Sequence, residues 1–412
     1  MKRLLIVITV VVAAAAAGRT ARSEDRRATA LVIRALSNDS RVADAAIARL
    51  RNWGQRGVDL MIAGAPTSPG AEAKFRDALD RVCRQRDCYA SRLYWYTDLE
   101  QAKQVAKSSG KPILSLHLLG NLDEDLSCAN SRFFRTTLYS DPKISQYMRD
   151  HFVLHWQSVR PAPKITVDFG DGRRLLRTIT GNSIHYMLDD EGRPLEALPG
   201  LYSPDAFLRQ LEKMNGLAKS YAAAEPHLKQ TTLQVYHAAE SAAVADRFGK
   251  DIQRVRRPEE ASSTFPTARR AARLTMTKTI SEEPLLDSFD LARQPLTDPE
   301  WKRIAAKYGE KIHFAPESVA LIRQKISNPA ALDGMLRNFE TSVAEDTVRN
   351  EYDLHRRIHG WLVSEPSITL SALDERVYEQ LFLTPSRDPW LGLLQADVFS
   401  AVKNDGVEIA AQ

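Results

Sequence analysis

The sequence has few of the motifs that identify common catalytic or binding sites. It contains no phosphate-binding glycine loop, no Ser-His-Asp spacing and no paired-carboxylate signature above chance. The formal net charge is only +5, and four basic residues lie close to the start of the chain, namely Lys2, Arg3, Arg19 and Arg22. The remaining chain is near neutral, which argues against nucleic acid as a partner. The sequence predicts neither a cofactor nor a metal ion.

Cysteine is scarce, with only three residues in 412. In an oxidising compartment an odd number leaves one thiol unpaired or bonded to another molecule. Cys83 and Cys88 are close in sequence, at the end of one predicted helix and in the loop after it. We therefore expect a disulfide between Cys83 and Cys88, which leaves Cys128 as the free thiol.

Long apolar runs are absent except at the start of the chain. There Met1-Lys2-Arg3 precedes an apolar stretch over residues 4–17, and arginine-rich sequence follows. This pattern is typical of a secretory signal peptide, which we predict over residues 1–24. A membrane span needs about 20 apolar residues, so an uncleaved anchor is the less favoured alternative. We expect a periplasmic or secreted bacterial protein with no membrane contact beyond the signal peptide.

Residues 25–92 have the pattern of a small helical region. Asp39 and Ser40 can cap a first helix, which Gly54 ends. A second amphipathic helix follows a loop and ends near Cys83. The pattern predicts a helical N-terminal region.

Residues 93–215 alternate between strand and helix patterns. Apolar runs predict strands, and the turn at Gly170 predicts a β-hairpin. Asp98 and Asp141-Pro142 are signals for the start of a helix. The predicted strands cover residues 93–96, 113–118, 152–156, 184–188 and 195–198, and the hairpin covers residues 165–179. This order predicts a mixed α/β sheet with flanking helices.

Residues 216–412 are predicted to be almost entirely helical. Helical patterns cover residues 217–248, 258–279 and 329–363. Residues 256–266 are rich in Pro, Glu and Ser and indicate an exposed linker. The chain is thus predicted to place an α/β domain between a small helical N-terminal region and a larger all-α C-terminal region.

Five short blocks follow one another in the middle segment. They are Trp95 with Asp98-Leu99-Glu100 and Ala102, Lys111-Pro112-Ile113-Leu114, Cys128-Ala129-Asn130-Ser131, Asp141-Pro142 with Phe152-Val153, and Met187-Leu188-Asp189-Asp190-Glu191-Gly192. In this order the blocks resemble the thioredoxin-like family, particularly its exported bacterial members. The third block lies where the family has its Cys-x-x-Cys motif. The resemblance implies a thioredoxin-like domain over residues 93–215.

Three departures from the family pattern concern the site that the resemblance implies. Ser131 replaces the second cysteine, so the motif is Cys-x-x-Ser. An acidic insertion, Asp123-Glu124-Asp125, precedes Cys128. Counting back from the Gly192 turn, the position of the family's cis-proline falls on Ser183. Ordinary dithiol exchange is therefore not expected.

Cys128 is the predicted reactive residue. It begins a helix, where unsatisfied backbone amides and the helix dipole stabilise a thiolate. A thiolate attacks a disulfide to form a mixed disulfide, which Ser131 cannot resolve. The expected chemistry is monothiol exchange or isomerisation at Cys128, in a site with Ser131 and Ser183. The alternative is a buried structural cysteine in a domain without a redox role.

Three histidines lie at strand ends that approach Cys128 if the sheet follows the family's strand order. They are His117, His155 and His185. They could tune the pKa of the Cys128 thiol or hold a metal ion together with it. The alternative is three unrelated side chains on different faces of the sheet.

A second group of polar residues occurs in the C-terminal region. Glu351, His355 and His359 are spaced four residues apart in a predicted helix and so share one face. This spacing suits a carboxylate and two imidazoles on zinc. Because no HExxH motif and no further ligand is visible, a solvated polar face is the favoured interpretation.

Two functions from different classes remain open. The first is an exported thioredoxin-like protein that acts through Cys128 on protein thiols or disulfides, as an oxidoreductase or isomerase. The second is a non-catalytic interaction or scaffold protein with a protein partner. The missing second cysteine favours the scaffold, whereas a cysteine at the start of a helix favours the chemistry.

Overall fold

The computed structural model of the protein describes residues 29–255, 296–309, 312–391 and Val407. The predicted signal peptide lies outside these residues, and so do the predicted linker and the helix expected over residues 258–279. The chain divides into two compact units, one of Met1–Arg257 with Asp298–Ser367 and the other of Pro258–Thr297 with Ile368–Gln412. Among the described residues, no helix is long and apolar enough to span a membrane.

The N-terminal region is helical, as predicted. Its helices include α1 (Ser40–Arg51), α2 (Gln55–Ala63), α3 (Glu72–Cys83) and the short α4 (Cys88–Ser91). Asp39 caps α1, because its carboxylate accepts the first free backbone N–H groups of the helix. The apolar faces of these helices share one core, in which Leu50, Val58, Met61, Leu79 and Val82 are fully buried.

A four-stranded mixed sheet forms the centre of the first unit. Its strands are β1 (Ile113–Leu119), β2 (Val153–Arg160), β5 (Ser183–Leu188) and β6 (Pro194–Pro199), in the order β2-β1-β5-β6. β1 is parallel to β2 and antiparallel to β5, and β6 is antiparallel to β5. Every residue of β1, β5 and β6 is buried, as expected for strands that are covered on both faces.

Helices flank this sheet and confirm the predicted mixed α/β architecture. They are α5 (Leu99–Ser109), α6 (Ala129–Phe133), α7 (Pro142–His151) and α8 (Pro204–Ala223). Asp98 caps α5 and Asp141 caps α7, each by accepting backbone N–H groups of the first turn. A π-helical turn, Phe134–Leu138, directly continues α6.

The predicted β-hairpin is also present. β3 (Lys164–Asp168) and β4 (Arg174–Thr178) form a separate two-stranded antiparallel sheet. Gly170 and Gly172 in the turn have φ angles of 75° and 90°, a conformation in which side chains are strained. The hairpin interrupts the connection between β2 and β5 without joining the main sheet.

Two predicted elements differ from the structure. Residues 93–96 do not form a strand, and only Tyr96 makes an isolated bridge to His155. The backbone N–H of Trp95 instead donates to Cys83 at the end of α3, and its indole N–H donates to Gln85. The helix predicted over residues 217–248 is broken near Pro226, because a residue that precedes a proline is driven out of the helical conformation.

The C-terminal part of the first unit is helical, as predicted. It contains α9 (Lys229–Val255), α10 (Asp298–Gly309), α11 (Pro316–Lys325), α12 (Leu332–Arg349) and α13 (Arg356–Ser364). A π-helical segment, Asn350–His355, joins α12 to α13 without a break. α9 packs along α13, and the π-helical segment contacts β6. The predicted domain boundary at residues 215 and 216 falls inside α8.

The described residues of the second unit include one helix, α14 (Leu370–Gln380). Thr369 caps it by accepting the backbone N–H of Ala372. Leu373 and Val377 are fully buried. The helix therefore has the amphipathic pattern of a packed element.

Candidate functional site

Cys128 is a free thiol that is completely enclosed by protein. It occupies the cap position before α6, as the sequence predicts, and its backbone N–H donates to Leu119. The exposed fraction of the residue is 0%, and its Sγ lies 2.9 Å from the hydroxyl oxygen of Ser183. Cys83 and Cys88 are joined by a disulfide between α3 and α4. Thus the structure brings Cys128 and Ser183 together and separates both from solvent.

Ser131 has a different role in the geometry from the cysteine that it replaces. Its hydroxyl lies 2.8 Å from the carbonyl oxygen of Cys128 and 2.6 Å from the hydroxyl of Ser127. Both contacts hold the first turn of α6, and neither involves the sulfur atom.

The loop before Ser183 packs on the start of α6. The carbonyl of Thr180 accepts the backbone N–H of Ala129, and Gly181 approaches the amide of Asn130 so closely that an added Cβ would lie 2.9 Å from it. Thr180 has a φ of 78°, an uncommon value for a β-branched residue. The loop therefore lies against the start of α6, where the thiol is fully buried.

The acidic insertion does not face the thiol. Asp123 pairs with Arg84 at 3.3 Å, and Asp125 pairs with Arg86 at 3.0 Å. Both arginines follow the end of α3. The insertion therefore ties the loop before Cys128 to the N-terminal helices.

The structure does not gather the three predicted histidines around Cys128. Residues that are directly opposite on neighbouring strands share a face of the sheet. His117 lies opposite Ile184, and His155 lies opposite Ser115, so both are on one face. His185 and Ser183 are on the other face, since they are two residues apart on β5.

Separate hydrogen bonds engage two of these histidines. Nδ1 of His155 is 2.7 Å from the hydroxyl of Ser115, and Nε2 of His185 is 2.6 Å from the hydroxyl of Tyr139. Burial lowers the pKa of His155 to about 3, with a further contribution from nearby His117. Burial alone lowers the pKa of His185 to about 3. Both rings are therefore neutral at neutral pH, and the interpretation as unrelated side chains on different faces describes this arrangement.

A second buried polar cluster lies at the opposite end of β5 and β6. Its centre is Glu196 of β6, which is 1% exposed. Around it lie His237 of α9, His355 at the end of the π-helical segment and His359 of α13, each at most 2% exposed. We call these four residues the Glu196 cluster. Met187 is the cross-strand partner of Glu196, so this carboxylate is on the same sheet face as Ser183 and His185.

Short distances link the members of the Glu196 cluster. Nδ1 of His237 lies 2.9 Å from Nδ1 of His359, and Oε2 of Glu196 lies 3.9 and 3.8 Å from these two atoms. The Nε2–H of His355 donates to Oε1 of Glu196 at 3.2 Å. Oε1 also accepts the backbone N–H of Ala197 at 2.9 Å. The carboxylate is therefore held through one oxygen, while the other oxygen faces two imidazoles.

The expected solvated face at Glu351, His355 and His359 is wrong for the two histidines. His355 and His359 are buried and stacked, with 4.1 Å between ring centroids, whereas Glu351 pairs with Arg247 on α9. The π-helical segment widens the helix at this point, so a spacing of four residues no longer keeps all three side chains on one face. The residues that meet these two histidines, and that the sequence pattern does not show, are Glu196 and His237.

Packing at the end of β6 positions the π-helical segment. Gly200 has no side chain, and an added Cβ would lie 2.5 Å from the amide nitrogen of Asn350. This close approach allows the Asn350 amide to donate to the carbonyl of Leu201 at 2.8 Å. The segment is thereby fixed against the strand that carries Glu196.

The electrostatics of the cluster favour a charged Glu196 carboxylate. Burial raises the pKa of Glu196, but the neighbouring His359, His355 and His237 outweigh it, so that the pKa is well below its ordinary value. Burial lowers the pKa of His237, and it lowers that of His359 to about 3. Burial and the charge of Glu196 raise the pKa of Tyr236. The cluster therefore contains a buried negative charge.

The sequence contains a weak signal of this cluster. Glu196 is the only charged residue in the apolar stretch Pro194-Leu195-Glu196-Ala197-Leu198-Pro199 of β6. A charged residue in a fully buried strand requires a partner. Nothing in the sequence, however, indicates which helix supplies it. The partners come from three positions at least 41 residues further along the chain.

Comparison with protein-family models, with curated proteins and with solved structures finds no match for this chain.

Proposed function

We propose that this protein is an exported thioredoxin-like scaffold protein, in which the α/β region holds the C-terminal helices and Cys128 is a structural residue. A protein partner outside the cytoplasm would bind to this scaffold. The thioredoxin-like assignment and the signal peptide come from sequence patterns. The geometry bears on the choice between exchange chemistry and a structural thiol.

The order of the strands supports the thioredoxin-like assignment. A parallel pair, β1 and β2, is followed by two strands that each reverse direction, and the sheet order is β2-β1-β5-β6. Cys128 lies between β1 and the helix that follows it, and Ser183 begins the next central strand. This arrangement of Cys128 and Ser183 beside the central strands supports the proposal.

The burial of Cys128 is the observation that carries the proposal. A cysteine that exchanges disulfides must present its sulfur atom to a second sulfur atom along a direct line of attack. The sulfur of Cys128 has no exposed surface, and its neighbour Ser183 stands at hydrogen-bond distance. Reactive cysteines occur in partly exposed sites, whereas buried cysteines behave as small apolar residues.

The hairpin supports a role in binding. On β3 and in the turn after it, Ile165, Val167 and Phe169 are 37%, 36% and 55% exposed. These residues alternate along the chain and so lie on one face of the hairpin. Exposed apolar residues in a group are typical of protein-binding surfaces.

Incubation with glutathione disulfide tests the proposal. Cys128 is the one cysteine outside the disulfide, so any mixed disulfide on the intact protein reports on it. We expect no glutathione adduct by mass spectrometry on the native mature protein at pH 7.5, and complete reaction in denaturant. Rapid adduct formation on the native protein, absent in Cys128→Ala, would instead establish monothiol exchange as the function.

A further inference from the structure

We propose that Glu196, His237 and His359 form a binding site for a divalent transition-metal ion, with zinc as the ion that the donor atoms fit best. The site would join the edge strand of the sheet to α9 and α13. It is independent of Cys128 and of exchange chemistry.

The positions of three donor atoms suit one ion. Oε2 of Glu196, Nδ1 of His237 and Nδ1 of His359 are separated by 2.9, 3.8 and 3.9 Å. A circle through three points with these separations has a radius of about 2.1 Å. Zinc binds imidazole nitrogen and carboxylate oxygen at about 2.0–2.2 Å. One point therefore lies at bonding distance from all three atoms without movement of the side chains.

One hydrogen bond fixes the tautomer of His237. Nε2 of His237 is 3.0 Å from the carbonyl oxygen of Leu195, which can only accept, so Nε2 carries a proton. Nδ1 of His237 then accepts a hydrogen bond from the Nδ1–H of His359 at 2.9 Å, and an ion would replace that bond as the proton of the His359 ring moves to Nε2. A backbone carbonyl that fixes the tautomer of a histidine is a common feature behind metal ligands.

An unsatisfied carboxylate oxygen provides the second, independent observation. Glu196 is 1% exposed, and its Oε2 accepts no hydrogen bond among the described residues. The other oxygen accepts from the backbone N–H of Ala197 and from the ring of His355, and the hydroxyl of Tyr236 also lies beside the carboxylate. A buried charged oxygen without a donor is costly in a folded protein. A cation beside Oε2 removes that cost.

No lysine or arginine side chain in the described part of the chain competes with a cation for the Glu196 carboxylate. The three side chains within 4 Å of the Glu196 carboxylate in ion-pair geometry are histidines, and two of them, His237 and His359, are the proposed ligands themselves. Lys213 and Glu240 lie nearby but pair with each other at 2.7 Å. Thus no lysine or arginine in the described part of the chain neutralises Glu196 by direct contact.

The donor set distinguishes among ions. Calcium and magnesium bind through oxygen ligands, and a site with two imidazoles and one carboxylate is unsuited to them. Two histidines and one glutamate form a zinc ligand set that leaves a fourth position. His355 does not reach that position in this structure, because its Nε2 is engaged by Oε1 of Glu196. We assign it as a positioning residue that orients the carboxylate.

Metal content and stability together test the site. The full mature protein is stripped with EDTA, incubated with zinc sulfate, desalted and measured by inductively coupled plasma mass spectrometry. We expect one zinc ion per chain in wild type, in Cys128→Ala and in His227→Asn, which changes an exposed histidine. We expect at least tenfold less in His359→Ala and in Glu196→Gln.

Glu196→Gln also separates a metal site from a simple hydrogen-bond network. It keeps a side chain of the same shape and removes one of the three proposed ligands. Zinc should raise the unfolding midpoint of wild type but not that of Glu196→Gln, each compared with its own value in EDTA. The proposal is overturned if wild type retains no zinc, if all variants bind zinc equally, or if zinc raises the midpoint of Glu196→Gln as much as that of wild type.

Discussion

The Cys128 site and the Glu196 cluster lie on the same face of one sheet and are built in opposite ways. At Cys128 a weakly polar thiol has a neutral partner, Ser183, at 2.9 Å, and the surrounding loop closes over it. At Glu196 a carboxylate is buried among imidazoles, and one of its oxygens accepts no hydrogen bond among the described residues. Cys128 lies in a sequence motif that resembles a functional one, but its surroundings are those of a core residue. Glu196 lies in no sequence motif, but its surroundings are those expected of a binding site.

The comparison shows that a motif and a site must be judged by different criteria. A motif records only residue types at a given spacing. A binding site needs donor atoms that converge on one point, and the free energy that their burial costs must not already be offset by other contacts. The contact between Cys128 and Ser183 leaves no charge for a ligand to neutralise. At Glu196, by contrast, a buried negative charge remains that a cation could neutralise.

Removal of one histidine from the Glu196 cluster should give the largest effect. In EDTA, His237→Ala takes away one of the rings that stabilise the buried carboxylate, and we expect it to lower the free energy of unfolding by about 3–5 kcal/mol. Urea denaturation measures this change. The matched control is His237→Ala in a Glu196→Leu background, where the loss should be much smaller because no charge is left behind. Equal losses of unfolding free energy in both backgrounds would show that His237 stabilises the fold by its packing alone.

Acid should destabilise the sheet through its neutral histidines. The pKa of His155 in the folded protein is about 3, below the ordinary value of 6.5, so the unfolded state takes up a proton first as the pH falls. The stabilisation is complete above pH 6.5 and is lost progressively toward pH 3. Between pH 6.5 and pH 4.5, His155 alone should contribute a loss of about 2–3 kcal/mol.

His155→Asn tests this acid effect. Asparagine can still accept the hydrogen bond from the Ser115 hydroxyl but does not titrate, so the decline in unfolding free energy with falling pH should become shallower by that amount. His227→Asn serves as the control, because this exposed histidine should leave the pH dependence unchanged. An unchanged slope in His155→Asn would mean that His155 is protonated in the folded protein.

Much of the fold was predictable because its signals are local. Asp98 and Asp141 cap α5 and α7 as predicted, since a cap needs only the residue and the next three backbone N–H groups. The hairpin at Gly170 likewise follows from its turn. The strand predicted over residues 93–96 is absent, because the backbone N–H of Trp95 bonds to Cys83 at the end of α3, a partner that no local pattern specifies, and only Tyr96 bonds to β2.

The Glu196 cluster was not predictable for the same reason. His237, His355 and His359 meet Glu196 only because α9 and α13 pack beside β6, and the π-helical segment shifts the register that the spacing implies. For Cys128 the sequence gives its place at the start of α6, but its burial depends on the loop at Thr180. Long-range packing therefore decides the chemistry of both sites.

A moderate effect is expected from shortening the Cys128 side chain. Cys128→Ala leaves a small cavity in a fully buried position, and the free energy of unfolding should fall by about 1–2 kcal/mol. The measurement is urea denaturation. The fluorescence and circular dichroism of the native protein should not change, since the substitution removes only one sulfur atom from the core. A loss above about 4 kcal/mol would imply that the sulfur supports more than its own packing.

The smallest effect is expected from Ser183→Ala. This change removes the hydroxyl beside the thiol, and a neutral hydrogen bond of this kind contributes about 0.5–1.5 kcal/mol. Combined with Cys128→Ala, the loss should be less than the sum of the two single losses, because both remove the same contact. Strict additivity would contradict the contact between Sγ and Oγ.

The alkylation rate of Cys128 as a function of pH tests most directly whether this thiol is structural. Iodoacetamide is applied to the native protein between pH 6 and pH 9, and to the same protein in denaturant, with Cys128→Ala as the blank. We expect the native protein to react at least a thousandfold more slowly than the unfolded protein at every pH. A native thiol that reacts at the unfolded rate, with a titration midpoint near or below pH 7, would contradict this expectation.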